Sequence, residues 1–166
     1  MPAAPATRKK VFIVDDHPIM RQGLSQLINH EPDLVVVGEA NDAQTGLTAI
    51  LEVQPDLVII DISLPGKNGL ELIKDIRSHV RNVALLVHSM HDEGLYVERV
   101  LRAGAQGYIM KQEGARKVIE AVRQLRGEAH PAVQVRNCTL ALAHGTGGSI
   151  GTRMGSATLI LGRSDA

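Results

Sequence analysis

Short apolar runs alternate with amphipathic segments five times between Lys10 and Leu125, and this alternation restricts the possible folds most strongly. The runs are VFIV (11–14), LVVVGEA (34–40), LVIID (57–61), VALLVHS (83–89) and GYIM (107–110). Their Val, Leu and Ile content, with few polar interruptions, is typical of strands that are covered on both faces of a sheet. In the segments that follow them, apolar residues recur at steps of three and four, which predicts helices with one buried face.

Five successive βα units predict an α/β fold with a five-stranded parallel sheet, because parallel strands need a crossover connection between them. Right-handed crossovers place the five helices on both faces of the sheet. The expected architecture is therefore a doubly wound, flavodoxin-like sheet in three α/β/α layers. The helix starts agree with this division, since Pro18 suits a first helical turn and Asp42 and Asp92 suit N-cap positions.

The composition narrows the possible classes of protein. The 18 basic residues balance the 18 acidic ones, so no overall positive field attracts nucleic acid. The single cysteine, Cys138, excludes an intrachain disulfide framework and a cysteine-rich zinc site. No signal-peptide pattern begins the chain, and no apolar run approaches the roughly 20 residues that span a bilayer. We therefore expect a soluble, cytoplasmic protein that does not engage a membrane.

The βα pattern divides the chain into three parts. Residues 1–8 are rich in Pro and Ala and are expected to form a flexible arm, and residues 9–126 hold the predicted domain. Residues 127–166 form an atypical tail of low complexity, with six glycines between positions 145 and 162 and no sustained period. Glycine at this density opposes helix formation, so we expect the folded part of the chain to end near Leu125.

Polar side chains occur at the carboxyl ends of four of the five predicted strands. Asp15 and Asp16 follow the first strand, Asp61 ends the third, Ser89 ends the fourth, and Lys111 follows the fifth. These ends meet at one edge of a parallel sheet, where the ligands of such sheets bind. Adjacent carboxylates repel each other, and a hard cation such as Mg²⁺, which prefers oxygen ligands, relieves the repulsion. A carboxylate beside such an ion can also attack phosphorus and form an aspartyl phosphate.

Each of these residues also has an ordinary structural explanation. Asp15 or Asp16 could cap the following helix, and Asp61 could be a turn residue in DISLPGKNG (61–69). Ser89 could be another helix cap, and Lys111 could be a solvated surface charge. Such explanations are common for single residues, but the coincidence of all of them at four strand ends favours a functional site.

Residues 10–126 resemble the receiver domain of two-component response regulators. The resemblance is carried by VFIVDDHP (11–18), PDLVIIDISLPGKNGLELI (55–73) and HSMHDEGLYVERVLRAGAQGYIMK (88–111), which follow the order and spacing of that family. The segments DDHP, VVVGEANDAQTGL, MHDE and GAQGYIMK are most similar to the receivers of NarL/FixJ-type transcriptional regulators. The family fold agrees with the fold that the alternation predicts on its own.

The resemblance implies a role for each acidic residue of the predicted site. Asp61 matches the residue that accepts a phosphoryl group from a sensor histidine kinase. Asp15 and Asp16 match the acidic pair that binds Mg²⁺, Asp16 directly and Asp15 through water. Asp61 and the backbone carbonyl of Ser63 match the further metal ligands. Mg²⁺ is therefore the expected cofactor, and a histidine kinase is the expected partner.

The resemblance also implies a conformational switch. Ser89 matches the hydroxyl residue that contacts the phosphoryl group, and Lys111 matches the lysine that pairs with it. Tyr108 matches the aromatic residue that turns inward as Ser89 moves. A phosphoryl group adds roughly −1.5 to −2 of charge at Asp61, which is expected to bias the surface around the fourth helix and the fifth strand. Homodimerisation on phosphorylation is a further expectation.

The expected function is that of a phosphorylatable signalling protein in transcription regulation, with no enzyme activity beyond slow self-dephosphorylation. NarL/FixJ regulators continue into a helix-turn-helix domain that residues 127–166 do not match, so DNA would be bound only through a domain not evident in this chain. One alternative is a stand-alone receiver that acts through protein contacts. A remote alternative is a haloacid-dehalogenase-like phosphatase, but that chemistry needs a second Asp where this chain has Ser63.

Overall fold

Six strands and five helices make up the part of the chain that the computed structural model describes, which is residues 7–90, 94–125 and 159–160. The strands are β1 Lys9–Val14, β2 Leu34–Ala40, β3 Leu57–Ile60, β4 Ala84–Ser89, β5 Gly107–Met110 and β6 Leu159–Ile160. The helices are α1 Pro18–His30, α2 Ala43–Val53, α3 Gly69–His79, α4 Gly94–Ala103 and α5 Ala115–Leu125, and a 3-10 turn spans Lys111–Glu113. None of these helices is long and apolar enough to cross a membrane.

The first five strands form a parallel sheet in the order β2-β1-β3-β4-β5, and the helices are the crossover connections. This confirms the predicted doubly wound α/β fold with five parallel strands and five helices. The sheet grows outward from β1 in both directions, to β2 on one side and to β3 on the other. Such a reversal opens a crevice outside the carboxyl ends of the strands that flank it, and these are β1 and β3.

The sheet also has a sixth strand, β6, that the sequence pattern does not predict. It pairs antiparallel with β5, with Leu159 opposite Tyr108 and Ile160 opposite Gly107. Two residues are too few to show a hydrophobic period, so a strand of this length has no recognisable sequence signal. The other residues of the predicted tail, and residues 1–6 of the predicted arm, lie outside the described part of the chain.

The two faces of the sheet carry two separate hydrophobic cores. Alternate residues of β1 show the division, since Phe12 and Val14 belong to one core and Val11 and Ile13 to the other. Residues of α2, α3 and α4 complete the first core, and residues of α1 and α5 complete the second. Every residue of β3 and β4 is buried, which explains why these strands are nearly continuous apolar runs in the sequence.

Helix α1 begins at Pro18, as the sequence predicts, but its N-cap is His17. Neither Asp15 nor Asp16 occupies the capping position, so helix capping does not account for the aspartate pair. The His17 side chain makes no capping hydrogen bond either. The side chains of the three residues between β1 and α1 are therefore not used to cap the helix and are available for a functional site.

Two further helix starts have well-defined caps. Asp42 is confirmed as the N-cap of α2, where its Oδ1 accepts a 2.8 Å hydrogen bond from the Thr45 amide. At the start of α3, Asn68 and Glu71 form a capping box in which each side chain accepts a hydrogen bond from the other residue's amide. This box holds the end of the loop that follows β3. The predicted N-cap Asp92 lies outside the described residues.

Candidate functional site

Asp15 and Asp61 lie directly beyond the carboxyl ends of β1 and β3, and backbone hydrogen bonds extend the sheet to both residues. The Asp15 amide donates to the Ala40 carbonyl oxygen at 3.1 Å, and the Asp61 amide donates to the Val14 carbonyl oxygen at 2.8 Å. Both aspartates are 2% exposed. Burying two carboxylates at the same sheet edge is costly unless a positive group pairs with them.

Lys111 supplies that positive group. Its ammonium lies 2.9 Å from Asp15 Oδ2 and 3.0 Å from Asp61 Oδ2, and all three side chains are almost completely buried. Burial lowers the pKa of Lys111, but the hydrogen bonds and charges of Asp15 and Asp61 outweigh it, so the pKa lies above its ordinary value. Lys111 is therefore a buried cation that bridges two strand ends, and it is not a solvated surface charge.

Asp16 and His17 complete the cluster. The His17 Nδ1 atom lies 2.9 Å from Asp16 Oδ1, 3.2 Å from Asp15 Oδ1 and 3.7 Å from Asp61 Oδ2. Asp16 Oδ1 is buried and receives no hydrogen bond, although His17 Nδ1 lies close to it. One ligand atom from each of the four residues lies within 4.8 Å of the others, which is compact enough for one metal ion.

The donor set fits the predicted Mg²⁺. Three carboxylates and the Lys111 ammonium leave two negative charges uncompensated, which suits a divalent cation. Carboxylate oxygens are ligands that Mg²⁺ prefers, and it commonly binds through one or two of them and keeps several waters. The buried Asp16 Oδ1 has a free lone pair for such an ion, because no hydrogen bond uses it.

Three further residues of the predicted site have different surroundings. The Ser63 amide donates a 3.1 Å hydrogen bond to Asp61 Oδ1, so this loop residue holds one oxygen of that carboxylate. Ser89 is fully buried as the last residue of β4 and lies opposite Met110 of β5. Tyr108 is 1% exposed and belongs to the core that α2, α3 and α4 complete. Tyr108 therefore lies in an inward, buried position in this structure.

Close backbone packing positions the loops that carry Asp15 and Asp61. A Cβ atom on Gly69, the first residue of α3, would overlap the Asp61 carbonyl oxygen and lie 2.8 Å from the Ile62 Cα. The Gly69 amide donates to the Ile62 carbonyl oxygen at 2.9 Å. Near the other strand end, Arg21 Nη1 donates to the Asp15 carbonyl oxygen at 2.7 Å. The two loops are thus tied to α3 and α1.

Two histidines near the site are not predicted from the sequence. His17 follows the acidic pair at a helix start, and its contact with the carboxylates depends on a ring orientation that the sequence does not specify. His88 of β4 is 4% exposed, and its Nδ1 has no hydrogen-bond partner among the described residues. Burial lowers the pKa of His88 to about 4, with Lys111 lowering it further and Asp15 opposing them. The sequence feature that could have identified His88 is its place within an otherwise apolar run.

Comparison with known protein families agrees with this geometry. A family model described as the response regulator receiver domain matches residues 11–123, which is more than half of the chain. A second model, described as thiolase C-terminal domain-like, matches residues 105–163, less than half of the chain. The transcriptional regulatory protein DegU of Brevibacillus brevis is 35% identical over 127 residues, which cover 75% of this chain and 54% of DegU.

Two solved structures share the fold. A two-component response regulator of the LuxR family from Aurantimonas sp. SI85-9A1 has a TM-score of 0.70 and 34% identity, covering 73% of this chain and 87% of that one. The response regulator domain of Thermotoga maritima CheB has a TM-score of 0.68 and 29% identity, covering 74% of this chain and 99% of that one.

The chain spans about half the length of the curated relatives that it matches. The matched part is the βα domain, because the family model begins in β1 and ends in α5. The chain therefore belongs to the two-component response regulators, as a receiver domain of the NarL/LuxR family.

Proposed function

We propose that Asp61 accepts a phosphoryl group from a sensor histidine kinase and that the chain acts as the receiver of a transcriptional response regulator. The observation that carries the proposal is the pairing of one buried ammonium, Lys111, with both Asp15 and Asp61. A carboxylate beside a fixed cation is suited to attack phosphorus, because the cation stabilises the charge on the phosphoryl oxygens during transfer.

Mg²⁺ is the proposed cofactor, with Asp16 as a direct ligand, Asp15 acting through water, and Asp61 and the Ser63 carbonyl as further ligands. When bound, the ion supplies positive charge at the phosphoryl oxygens. The uncompensated charge of the cluster and the buried, unpaired Asp16 Oδ1 support this assignment. The chain itself orients the acceptor, since Lys111 holds Asp61 Oδ2 and the Ser63 amide holds Asp61 Oδ1.

The proposed switch consists of Lys111, Ser89 and Tyr108. A phosphoryl group adds roughly −1.5 to −2 of charge, so Lys111 gains a stronger partner than the Asp61 carboxylate. The Ser89 hydroxyl is the group proposed to donate to a phosphoryl oxygen. The buried position of Tyr108 is the one that phosphorylation is proposed to favour. The surface of α4 and β5 is then biased toward one conformation.

The proposed output is regulation of transcription in the cytoplasm. The name of the relative DegU, a transcriptional regulatory protein, supports this part of the proposal. The output would require homodimerisation on phosphorylation and DNA binding through a domain that the described residues do not contain. The receiver itself acts as a signalling protein, and its only proposed reaction after phosphorylation is slow loss of its own phosphoryl group. A receiver that works through protein contacts alone would use the same site.

Incubation with acetyl phosphate and Mg²⁺, followed by intact-mass spectrometry, tests the proposed acceptor. The chain should gain the mass of one phosphoryl group, and Asp61→Asn should gain none. Asp75→Asn is the matched control, because it changes a carboxylate that pairs with Lys67 away from the site, and it should be labelled like the parent chain. Equal labelling of Asp61→Asn would contradict the proposal. Transfer from a phosphorylated histidine kinase, measured with the same variants, tests the proposed partner.

A further inference from the structure

The His17 ring is turned toward the carboxylates and does not cap its helix. His17 occupies the N-cap position of α1, yet its side chain makes no capping hydrogen bond. Its backbone amide donates to Asp15 Oδ1 at 2.8 Å. Its Nδ1 lies within 3.7 Å of oxygen atoms of Asp15, Asp16 and Asp61. A nitrogen atom that can bind a metal therefore faces the same pocket as the three carboxylates.

The separations between these atoms resemble those of neighbouring ligands around one metal ion. Neighbouring ligands of an octahedral ion lie about 3.0 Å apart when each metal–ligand bond is about 2.1 Å long. The His17 Nδ1 atom is 2.9 Å from Asp16 Oδ1, the atom proposed to bind the ion directly, so this separation already fits. Asp15 Oδ1, whose residue is proposed to act through water, lies 3.2 Å from the same nitrogen. The separation of 3.7 Å from Asp61 Oδ2 requires only a small shift of either side chain.

We infer that His17 Nδ1 is itself a ligand of the cation bound at Asp15, Asp16 and Asp61. The inference rests on the proposed function, because it concerns the same metal site. Mg²⁺ prefers oxygen ligands and gains little from an imidazole, whereas divalent transition metals accept mixed nitrogen and oxygen ligands. His17 therefore contributes more to the binding of a divalent transition metal, with Mn²⁺ as the probe, than to the binding of Mg²⁺.

A second explanation of the same contacts makes the opposite prediction. In that explanation the His17 ring only hydrogen-bonds to Asp15 Oδ1, at 3.2 Å, and does not bind a metal. A ring that occupies a carboxylate oxygen competes with an incoming cation for that oxygen, so its removal would strengthen cation binding. An imidazole ligand bonds to the cation, so its removal weakens binding. The His17 side chain is 60% exposed, and its replacement therefore leaves both hydrophobic cores intact.

Calorimetric titration of the full chain with MnCl₂ and with MgCl₂ distinguishes the two explanations. His17→Ala should weaken Mn²⁺ binding by at least about 10-fold, because even the loss of a residue that only orients a metal ligand weakens binding by that much. The same variant should change Mg²⁺ binding by less than about 3-fold. His30→Gln changes an exposed histidine at the other end of α1 and should bind both ions like the parent chain. Stronger binding of both ions by His17→Ala would overturn the inference.

Pulsed EPR of the Mn²⁺-loaded chain gives a readout that does not depend on affinity. A directly bound imidazole should produce ¹⁴N modulation in the parent chain and in His30→Gln, and none in His17→Ala. Mn²⁺ binding without this modulation in the parent chain, or modulation that persists in His17→Ala, would overturn the inference and leave the proposed function intact. If the parent chain bound neither ion and accepted no phosphoryl group, the proposed function would fail together with the inference.

Discussion

Lys111 balances the charge of two carboxylates that are each 2% exposed, and its replacement measures how much this pairing contributes to stability. Lys111→Met keeps an unbranched side chain but leaves Asp15 and Asp61 without the ammonium. The free energy of unfolding should fall by about 3 kcal/mol, as when one partner of a buried ion pair is removed. Urea unfolding in EDTA at neutral pH provides the measurement. Lys74→Met, at an exposed position of α3, is the control, and equal changes in both variants would contradict the prediction.

Acid should destabilise the fold through His88. Burial lowers the pKa of His88 to about 4, whereas an imidazole in an unfolded chain titrates near 6.5. Between these two values the unfolded state binds a proton that the folded state does not bind, so stability falls as the pH falls from about 6.5 to about 4. The contribution of His88 to this loss is about 3 kcal/mol once the pH reaches the lower value.

His88→Leu should therefore lose less stability than the parent chain across this pH window. Urea unfolding at a series of pH values measures the difference and cancels the carboxylate titrations that both chains share. His30→Gln removes an exposed imidazole and should follow the parent chain. Parallel stability curves for the parent chain and His88→Leu would show that the buried imidazole titrates normally.

For single residues, the sequence predicts the positions of acidic and basic side chains better than it predicts the orientations of histidine rings. Asp15, Asp61 and Lys111 were predicted as neighbours because strand ends share one edge, and the structure places their charged atoms in direct contact. The orientation of His17 depends on a side-chain torsion angle, which local sequence does not determine. Asp16 was predicted as a metal ligand, but its unpaired buried oxygen is visible only in the structure.

The contact between β3 and α3 depends on the absence of a side chain at Gly69. An added methyl group would overlap the Asp61 carbonyl oxygen, so Gly69→Ala should displace the loop that carries Asp61. The free energy of unfolding should fall by about 1–3 kcal/mol. Labelling of this variant by acetyl phosphate should also be slower. Gly23→Ala is the matched control, since its Cβ meets no atom within 4 Å and Ala favours the helix by up to about 1 kcal/mol. Urea unfolding should therefore show a lower free energy of unfolding for Gly69→Ala and a higher one for Gly23→Ala. A higher free energy of unfolding in both variants would refute the packing argument.

The hydrophobic period predicts which elements exist, and it predicts their ends less well. Strand β1 begins at Lys9, before the apolar run, because pairing with β2 continues through its polar residues. Strand β3 ends at Ile60, one residue before the predicted end, and β4 begins at Ala84, one residue after the predicted start. Differences of one residue arise because an apolar run does not mark the last hydrogen bond of a strand, and the Asp61 amide still donates to the Val14 carbonyl oxygen beyond the end of β3.

Arg77 shows why a tertiary link between elements was not predicted. It lies on α3, where a charged residue in an amphipathic pattern indicates an exposed side chain. In the structure its guanidinium donates to the Gly104 carbonyl oxygen at 2.9 and 2.8 Å and to the Val83 carbonyl oxygen at 2.7 Å. The link holds the turn before β5, the strand that carries Tyr108. Only the packed arrangement of the elements brings these acceptors within reach of Arg77.

For the molecule as a whole, a bound Mg²⁺ should stabilise the fold, because only the folded chain brings the carboxylates together. The expected gain is about 2.7 kcal/mol when the ion is present at about 100 times its dissociation constant. Thermal unfolding in Mg²⁺ and in EDTA measures the difference, which should nearly vanish in Asp16→Ala. Asp75→Asn should respond to Mg²⁺ like the parent chain. An undiminished response in Asp16→Ala would place the stabilising ion at another site.

The strand order was less predictable than the number of parallel strands. The alternation of strands and helices predicts parallel neighbours, but each crossover can lead to either side of the sheet, so the order β2-β1-β3-β4-β5 does not follow from the pattern alone. The antiparallel β6 depends on a contact with β5 across the long segment that separates them in sequence. Local sequence preferences carry no information about a contact of this kind.

The two hydrogen bonds of Lys111 join residues that are far apart in the sequence, 96 positions from Asp15 and 50 positions from Asp61. During translation the aspartates leave the ribosome well before the lysine does, so a nascent chain carries Asp15 and Asp61 without the ammonium that pairs with them. The pocket is complete only when the last βα unit has docked on the sheet. On the function proposed above, an unfinished or misfolded chain would lack this cation beside Asp61 and should accept a phosphoryl group poorly, so that phosphorylation would report on completed folding.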